Sequence, residues 1–464
     1  MHLRPGPDEP STPTAAADPG SNYGRPAYRW YVLGVMTLIL TAHALDRSLP
    51  QILVEPVKQE FRLSDGEVGL FAGLVYGIAF SVAALPMGWL ADRVSSRRNM
   101  LTVVVTVWSL LTALGGLAHN FFQLLLSRFG MGASEGGTAA AAMPIVTDIF
   151  PAGRRGFALG IYYIGHPAGT FLATAVGGYI AHEYGWRTAF LLAGVPGLIG
   201  AALLYFTVRE PERGGAEAAE VRQEKGASMK ESLKFLARHR ALPWVIAGHT
   251  TFGLLSLTLG AWTSSFFIRV HHLGLAEAGA VIGTAALVCS LISPAFVGWL
   301  ADKLGAQNPR WPLRLLSLCA LGSLAFTGVQ LYAPSVSLSI AAFAAAELMR
   351  WGFAAPSYAT LLDNTPARMR GAAVSVVQLT TTFMGLAVGP MLAGFLSDVL
   401  GGGASIRHAL AAVSLLYLAA AAFYLIANRA LYGRGRANAA AGFQSVGLQA
   451  AKVGPDPGEQ KSGE

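Results

Sequence analysis

Seven ionisable residues stand where apolar sequence should exclude them. His43, Asp46 and Arg47 fall inside one apolar run, Arg128 and Glu135 inside a second, and Glu347 and Arg350 inside a third. A charge held at the middle of a bilayer costs about 2.5–3.5 kcal/mol on translocon scales, so each needs a reason to be there. A buried carboxylate beside a guanidinium makes a proton switch, because burial favours the neutral acid and the cation favours the carboxylate. When a substrate or a movement takes the cation away, the carboxylate takes a proton. Glu135 is the expected principal proton carrier and Asp46 the second. Arg47 or Arg128 is then the competing cation and a ligand for an anionic headgroup, with Glu347 and Arg350 as further charge partners. The plainer reading of the same residues is a set of static ion pairs tying helices together.

Spacing orders these groups. Arg128 and Glu135 are seven residues apart, two helical turns on one face, so both are expected to point into one cavity. Asp46 and Arg47 are adjacent and point about 100° apart, so they serve different partners. His166, within Gly165-His166-Pro167-Ala168-Gly169, and His249 read more readily as structural histidines than as titrating ones.

The elements that must hold these charges are membrane helices. Of 464 residues only 13% are charged, 53% are hydrophobic, and the mean hydropathy is +0.46. Soluble domains run at about 25% charged. Twelve apolar runs lie between 29 and 428, among them 121–147 and 157–181. Each approaches the roughly 20 residues that cross a bilayer and far exceeds a barrel strand of about 10. The expected fold is an all-α membrane protein of twelve transmembrane helices in two six-helix halves. An ordinary soluble enzyme is excluded. Cys289 and Cys319 both lie in apolar runs and read as core residues.

The net charge of +8 would suit a nucleic-acid binder. Its placement argues for a membrane and no nucleic acid. Eighteen Lys and Arg residues fall in the even-numbered connections against five in the odd-numbered ones. The positive-inside rule then puts both termini in the cytoplasm. The polar stretch 209–241 divides the spans six and six. The organisation read from this is a tail 1–28, a half 29–208, a cytoplasmic linker 209–241, a half 242–428 and a tail 429–464.

The halves repeat. Gly-Trp-Leu-Ala-Asp occurs at 88–92 and 298–302. Leu63, Glu67, Gly69 and Gly73 match Leu273, Glu277, Gly279 and Gly283 at the same separation. Asp148, Pro151, Arg155 and Gly156 match Asp363, Pro366, Arg370 and Gly371 a little further on, and that second offset carries Glu135 onto Arg350. Parallel six-span repeats organise one large class of secondary transporters. Gly88 to Asp92 and Arg93, followed by Arg97 and Arg98, resembles the loop motif between spans 2 and 3 of the major facilitator superfamily, with Asp302 in the weaker copy. That resemblance implies a cytoplasmic gate. Asp92 would accept hydrogen bonds from a helix N-terminus, Arg93 and Arg97 would pair with acids such as Asp148, and Gly88 would permit close packing. Topology-setting charge is the alternative.

Within the superfamily, Leu45-Asp46-Arg47, Arg128 with Gly132-Ala133-Ser134-Glu135, Gly185-Trp186-Arg187 with Phe190, and Arg209-Glu210-Pro211-Glu212-Arg213-Gly214 together resemble the spinster family, in a bacterial member. The resemblance implies a proton-coupled transporter of an amphipathic lipid, a lysophospholipid or sphingosine type, working by alternating access. Organic-anion symporters for sugar acids share the Asp-Arg pair and the Arg/Glu spacing and form the alternative. Phe252, Trp262, Phe266 and Phe267, read as an apolar lining, favour the lipid. The Gly/Pro cluster of span 5 resembles, imperfectly, an antiporter signature. There is no nucleophile–base pair, Cys/His metal spacing or phosphate-binding loop, so no enzyme and no cofactor is expected and a proton gradient is the drive. The expected partners are the bilayer of the bacterial plasma membrane, protons and a small amphipathic or anionic substrate, with the chain a monomer.

Overall fold

A computed structural model describes residues 25–211 and 228–433. Most of the tails expected at 1–28 and 429–464, and the middle of the linker expected at 209–241, lie outside the described residues. Among the described residues ten helices are long and apolar enough to cross a membrane: Pro26–Ile52, Asp65–Ala91, Arg97–Gly115, Trp186–Thr207, Leu242–His271, Leu275–Gln307, Trp311–Tyr332, Val336–Asp363, Ala367–Val399 and Gly403–Tyr432. They are spans 1, 2, 3, 6, 7, 8, 9, 10, 11 and 12. Spans 4 and 5 are composite. Span 4 is Phe121–Glu135 and Thr138–Ile149, interrupted at Gly136 and Gly137, where the sequence pattern predicts one continuous run. Span 5 is Arg155–Phe171, a π-helical turn Leu172–Val176, and Gly177–Tyr184. The result is an all-helical bundle of twelve spans.

The two halves meet along spans 2 and 11 and along spans 5 and 8. Small residues make this possible, since lipid gives helices little hydrophobic drive to associate and packing must come from close approach. A Cβ on Gly73 would stand 2.1 Å from the Leu386 carbonyl oxygen of span 11. One on Gly279 of span 8 would stand 2.1 Å from the Thr174 carbonyl oxygen of span 5.

At the end of the bundle opposite the termini, charges fasten the halves together. The Arg269 guanidinium, near the end of span 7, donates from both terminal nitrogens to the Asp65 carboxylate at 2.8 Å and from Nε to Glu55 Oε1 at 2.8 Å. Lys58 donates to the same aspartate, and Ser397 Oγ of span 11 donates to it at 2.7 Å. The Asp398 carboxylate of span 11 accepts from the backbone N–H groups of Asp65 and Gly66 at 2.8 and 2.6 Å. It therefore meets the positive end of the span 2 helix dipole from across the interface.

At the terminal end, Glu210 accepts from Ser96 Oγ and from the backbone N–H groups of Arg97 and Arg98, at 2.6, 2.8 and 2.9 Å. It caps span 3 from the segment that follows span 6. A short linker helix, Met229–Arg238, precedes span 7. Between them His239 Nδ1 accepts from the backbone N–H groups of Ala241 and Leu242, and burial with Arg240 beside it holds this imidazole below the usual histidine range.

Candidate functional site

Span 1 carries Asp46 and Arg47 to two different environments. Asp46 is fully buried within the first half. It faces Thr112 and Trp108 of span 3, with Glu135 and Arg128 as its charged neighbours, and none of these meets either oxygen at hydrogen-bond geometry. Arg47, one residue on, lines a cavity between the halves.

Glu135 is the last residue before the Gly136–Gly137 interruption of span 4. The Tyr76 hydroxyl of span 2 donates to its Oε2, and His43 Nε2 lies 3.3 Å from the same oxygen. Gly132 brings Tyr76 within reach, because a Cβ there would stand 2.4 Å from the Tyr76 carbonyl oxygen. Arg128 is also fully buried. Its guanidinium sits 4.8 Å over the Tyr76 ring and 6.0 Å from that of Phe71, and Nη1 donates to Met131 Sδ at 3.7 Å. No carboxylate lies within ion-pair distance of it among the described residues. Arg128 and Glu135 thus share a helix face but not a direct contact, and the phenol of Tyr76 stands between them. Neither lines the cavity. Both belong to a sealed polar cluster inside the first half, which corrects the expectation that they point into the cavity. The cluster holds two carboxylates, Asp46 and Glu135, against the one buried guanidinium of Arg128.

The cavity has a volume of about 260 Å³ and takes its walls from spans 1 and 5 of the first half and spans 7, 8, 10 and 11 of the second. Arg350 of span 10 pairs with Glu347 one turn earlier, and Trp351 Nε1 donates to Glu347 Oε2 at 2.7 Å. All three reach the cavity, as does His166, whose ring meets the edge of Trp351 at 5.9 Å. The arrangement therefore offers two guanidiniums, one from each half, to whatever occupies the space. Hydroxyl and amide side chains such as Ser48, Gln51, Thr170 and Ser256 share the walls with the apolar Leu257, Ile282, Phe343 and Phe353.

The aromatic lining expected from spans 7 and 8 is not there. Phe252, Trp262, Phe266 and Phe267 are fully buried in the core of the second half. Phe252 stacks on Phe353 with 4.4 Å between centroids, and Trp262 Nε1 donates to the Pro390 carbonyl at 3.0 Å. His249 holds Ser357 Oγ at 3.0 Å and packs between Phe353 and Tyr358. Cys289 and Cys319 are buried and unpaired.

In the expected gate, Arg97 lies 3.5 Å from Asp148. Arg93 stacks over the Trp89 ring at 3.9 Å. Asp302 is exposed, with Lys303 over Trp299 beside it. The Asp92 side chain lies outside what the structure describes. A Cβ on Gly88 would meet nothing within 4 Å, so the close packing expected there is absent in this conformation, because no neighbouring helix covers that face. Tyr76 and the Arg269–Asp65 fastening are the functional groups that spacing alone does not reveal.

Comparison with known proteins places this geometry among transporters. The sequence model of the Major Facilitator Superfamily matches residues 36–382. An MFS-type efflux pump of Mycolicibacterium smegmatis is 28% identical over 90% of this chain and 97% of its own. A probable L-galactonate transporter of Escherichia coli is 26% identical over 76% of this chain and 80% of its own. The sphingosine-1-phosphate transporter SPNS2 of Xenopus tropicalis is 27% identical over 81% of this chain and 76% of its own. Among solved structures, a bacterial homolog of the human lysosomal transporter Spinster, in an inward-facing and unoccupied conformation, superposes with a TM-score of 0.77 at 24% identity, covering 88% of this chain and 98% of that one.

Proposed function

We propose that this chain, which belongs to the Major Facilitator Superfamily, is a proton-coupled transporter of an amphipathic lipid with an anionic headgroup, of the lysophospholipid or phosphorylated sphingosine type. One observation carries the proposal. Arg47 from the first half and Arg350 from the second reach a single cavity, while the proton-accepting carboxylates sit in a sealed cluster joined to it by one peptide unit of span 1. An anionic headgroup bridging the two guanidiniums competes with Glu347 for Arg350 and draws the halves together. The same movement of span 1 shifts Asp46 against Arg128 and Glu135, so the cluster gains or loses its proton as the headgroup binds or leaves. A volume of about 260 Å³ equals roughly nine waters at about 30 Å³ each, which suits a headgroup, so the chain extends beyond the cavity between the halves.

The positive-inside distribution of Lys and Arg supports cytoplasmic termini, and the likeness to bacterial transporters supports a bacterial plasma membrane. The Arg269–Asp65 fastening then closes the outer side. The inner side opens and shuts through the span 2–3 loop, where Gly88, Asp92, Arg93, Arg97 and Asp148 act with Asp302 of the second copy. The proton gradient is the drive, no other cofactor takes part, and the chain works as a monomer.

A second reading, a symporter of sugar acids, draws on the hydroxyl and amide walls, which suit a polyhydroxylated carboxylate. The resemblance to a probable L-galactonate transporter supports it. Binding to the purified full chain separates the two. Lysophosphatidic acid and galactonate are titrated calorimetrically against the native protein, Arg47→Gln and Arg350→Gln. Lysolipid binding that both substitutions abolish supports the lipid reading. Binding of galactonate alone supports the sugar-acid reading. Binding that neither substitution alters overturns the two-arginine site.

A further inference from the structure

The linker helix Met229–Arg238 presents three distinct edges. Ser232 and Leu236 are buried against the second half. Met229, Leu233 and Ala237, four residues apart in turn, form an exposed apolar edge beside that buried face. Lys230, Lys234 and Arg238 repeat at the same spacing, rotated by about 100°, and form an exposed basic edge next to the apolar one. Glu231 pairs with Arg368 at 3.1 Å, which ties the helix to the connection between spans 10 and 11. Ser228 caps its N-terminus by accepting from the Glu231 N–H.

Leu233 and Ala237 of this edge, with spans 7 and 11, wall an open groove of about 500 Å³, lined also by Ile246, Ala247, Val376 and Met384 among others. From the linker helix the groove runs two turns along each span, so its long axis follows the bundle. At its deeper part the hydroxyls of Thr250 and Thr380 hydrogen-bond to one another at 2.9 Å, so the lining there is mostly apolar, with the Thr251 hydroxyl beside them. On the linker helix the basic edge lies next to the residues Leu233 and Ala237 that wall this groove.

We propose that the groove and the basic edge together form a site for one anionic glycerophospholipid of the leaflet at the terminal end. An acyl chain fills the groove and the phosphate rests on Lys230, Lys234 and Arg238. Amphipathic helices at a membrane surface combine these two attractions, apolar burial and basic residues toward anionic headgroups. The site is separate from the cavity between the halves and does not depend on what is carried there. The lipid acts as a structural ligand that holds the linker helix against spans 7 and 11.

Native mass spectrometry of the full chain in detergent tests this, with equimolar palmitoyl-oleoyl phosphatidylglycerol and palmitoyl-oleoyl phosphatidylcholine added. The native chain is expected to retain one phosphatidylglycerol in preference to phosphatidylcholine by on the order of tenfold or more, given three basic residues at the headgroup. The triple variant Lys230→Gln, Lys234→Gln and Arg238→Gln changes only exposed side chains. It should still retain one lipid while the preference falls to about one. Ala247→Phe fills the groove and should release the retained lipid whatever its headgroup, with the protein still monodisperse by size exclusion. Equal retention of both lipids by the native chain, or a preference that survives the triple substitution, overturns the proposal. So does displacement of phosphatidylglycerol by soluble glycerol phosphate, since that would make the basic edge a free-anion site to which the groove contributes nothing.

Discussion

Arg269→Gln should open the end of the bundle that this structure holds shut. The Arg269 side chain is 8% exposed, Glu55 10% and Asp65 not at all. Three charge-assisted hydrogen bonds at 2.8 Å join them. Breaking a buried ion pair by removing one partner costs about 3–5 kcal/mol, because the remaining charge is left buried and uncompensated. Here only Lys58 would remain to face Asp65 and Glu55. The closed state bears the whole cost, since separation of the halves readmits water to both carboxylates. About 3 kcal/mol is roughly a hundredfold in population, comparable to the few kcal/mol that separate alternating conformers. Spin labels at His119→Cys and Pro334→Cys, both exposed and on different halves, report the separation by double electron–electron resonance once Cys289 and Cys319 are replaced by serine. The native protein should give a short distance at this end, and Arg269→Gln a dominant longer one. Asp65→Asn should shift the distribution less, because Arg269 keeps Glu55. Adding Asp65→Asn to Arg269→Gln should close the gap partly, because it removes a like-charge repulsion. A distribution unchanged in Arg269→Gln would refute the reasoning.

Three further outcomes follow from particular contacts. Gly73→Ala places a Cβ 2.1 Å from the Leu386 carbonyl oxygen, a backbone atom that cannot swing aside, so the same label pair should report opening without any change of charge. Tyr76→Phe takes a hydroxyl donor from the buried Glu135 carboxylate, and the unfolding midpoint in detergent should fall by an amount equivalent to about 1–3 kcal/mol. Glu60, on the short helix Val54–Phe61 after span 1, is held below the usual carboxylate range, chiefly by a hydrogen bond from the Arg187 guanidinium, with Trp186 Nε1 also donating. A depressed folded-state pKa stabilises above the ordinary value of 4.5 and is lost as pH falls through the depressed one. Native protein should therefore exceed Glu60→Gln in thermal midpoint at neutral pH by a small margin, since the pair is largely exposed and worth under about 1 kcal/mol, and the margin should vanish below that pH.

Much of the fold is legible in the sequence because a bilayer imposes length and hydropathy on each span. The divergence of Asp46 and Arg47 follows from helical geometry alone, and the structure sends them to a sealed cluster and an open cavity. Other features leave no local trace. Asp65 and Arg269 stand at the ends of spans, where charges ordinarily mark topology, and 204 residues separate them. Tyr76 reads as one more apolar residue in a membrane helix until Gly132 brings its backbone against span 4. Span 7 scatters its Ser and Thr residues all round the helix, so no periodicity distinguishes a cavity face from a core face. That is why Phe252, Trp262, Phe266 and Phe267 read as lining when they are core. The interruption after Glu135 is written as Gly136-Gly137, yet the apolar run continues through it, and hydropathy alone merges the two helices.

Proton flux in proteoliposomes tests the coupling of the buried cluster to the cavity most directly. The native chain and Glu135→Gln are reconstituted with an internal pH dye and offered a lysophospholipid, a sphingosine-type lipid and a sugar acid in turn. Substrate-dependent proton movement with an anionic lipid is expected in the native chain and should be lost in Glu135→Gln, with lipid binding retained. Substrate-dependent flux that persists undiminished in Glu135→Gln would contradict the coupling.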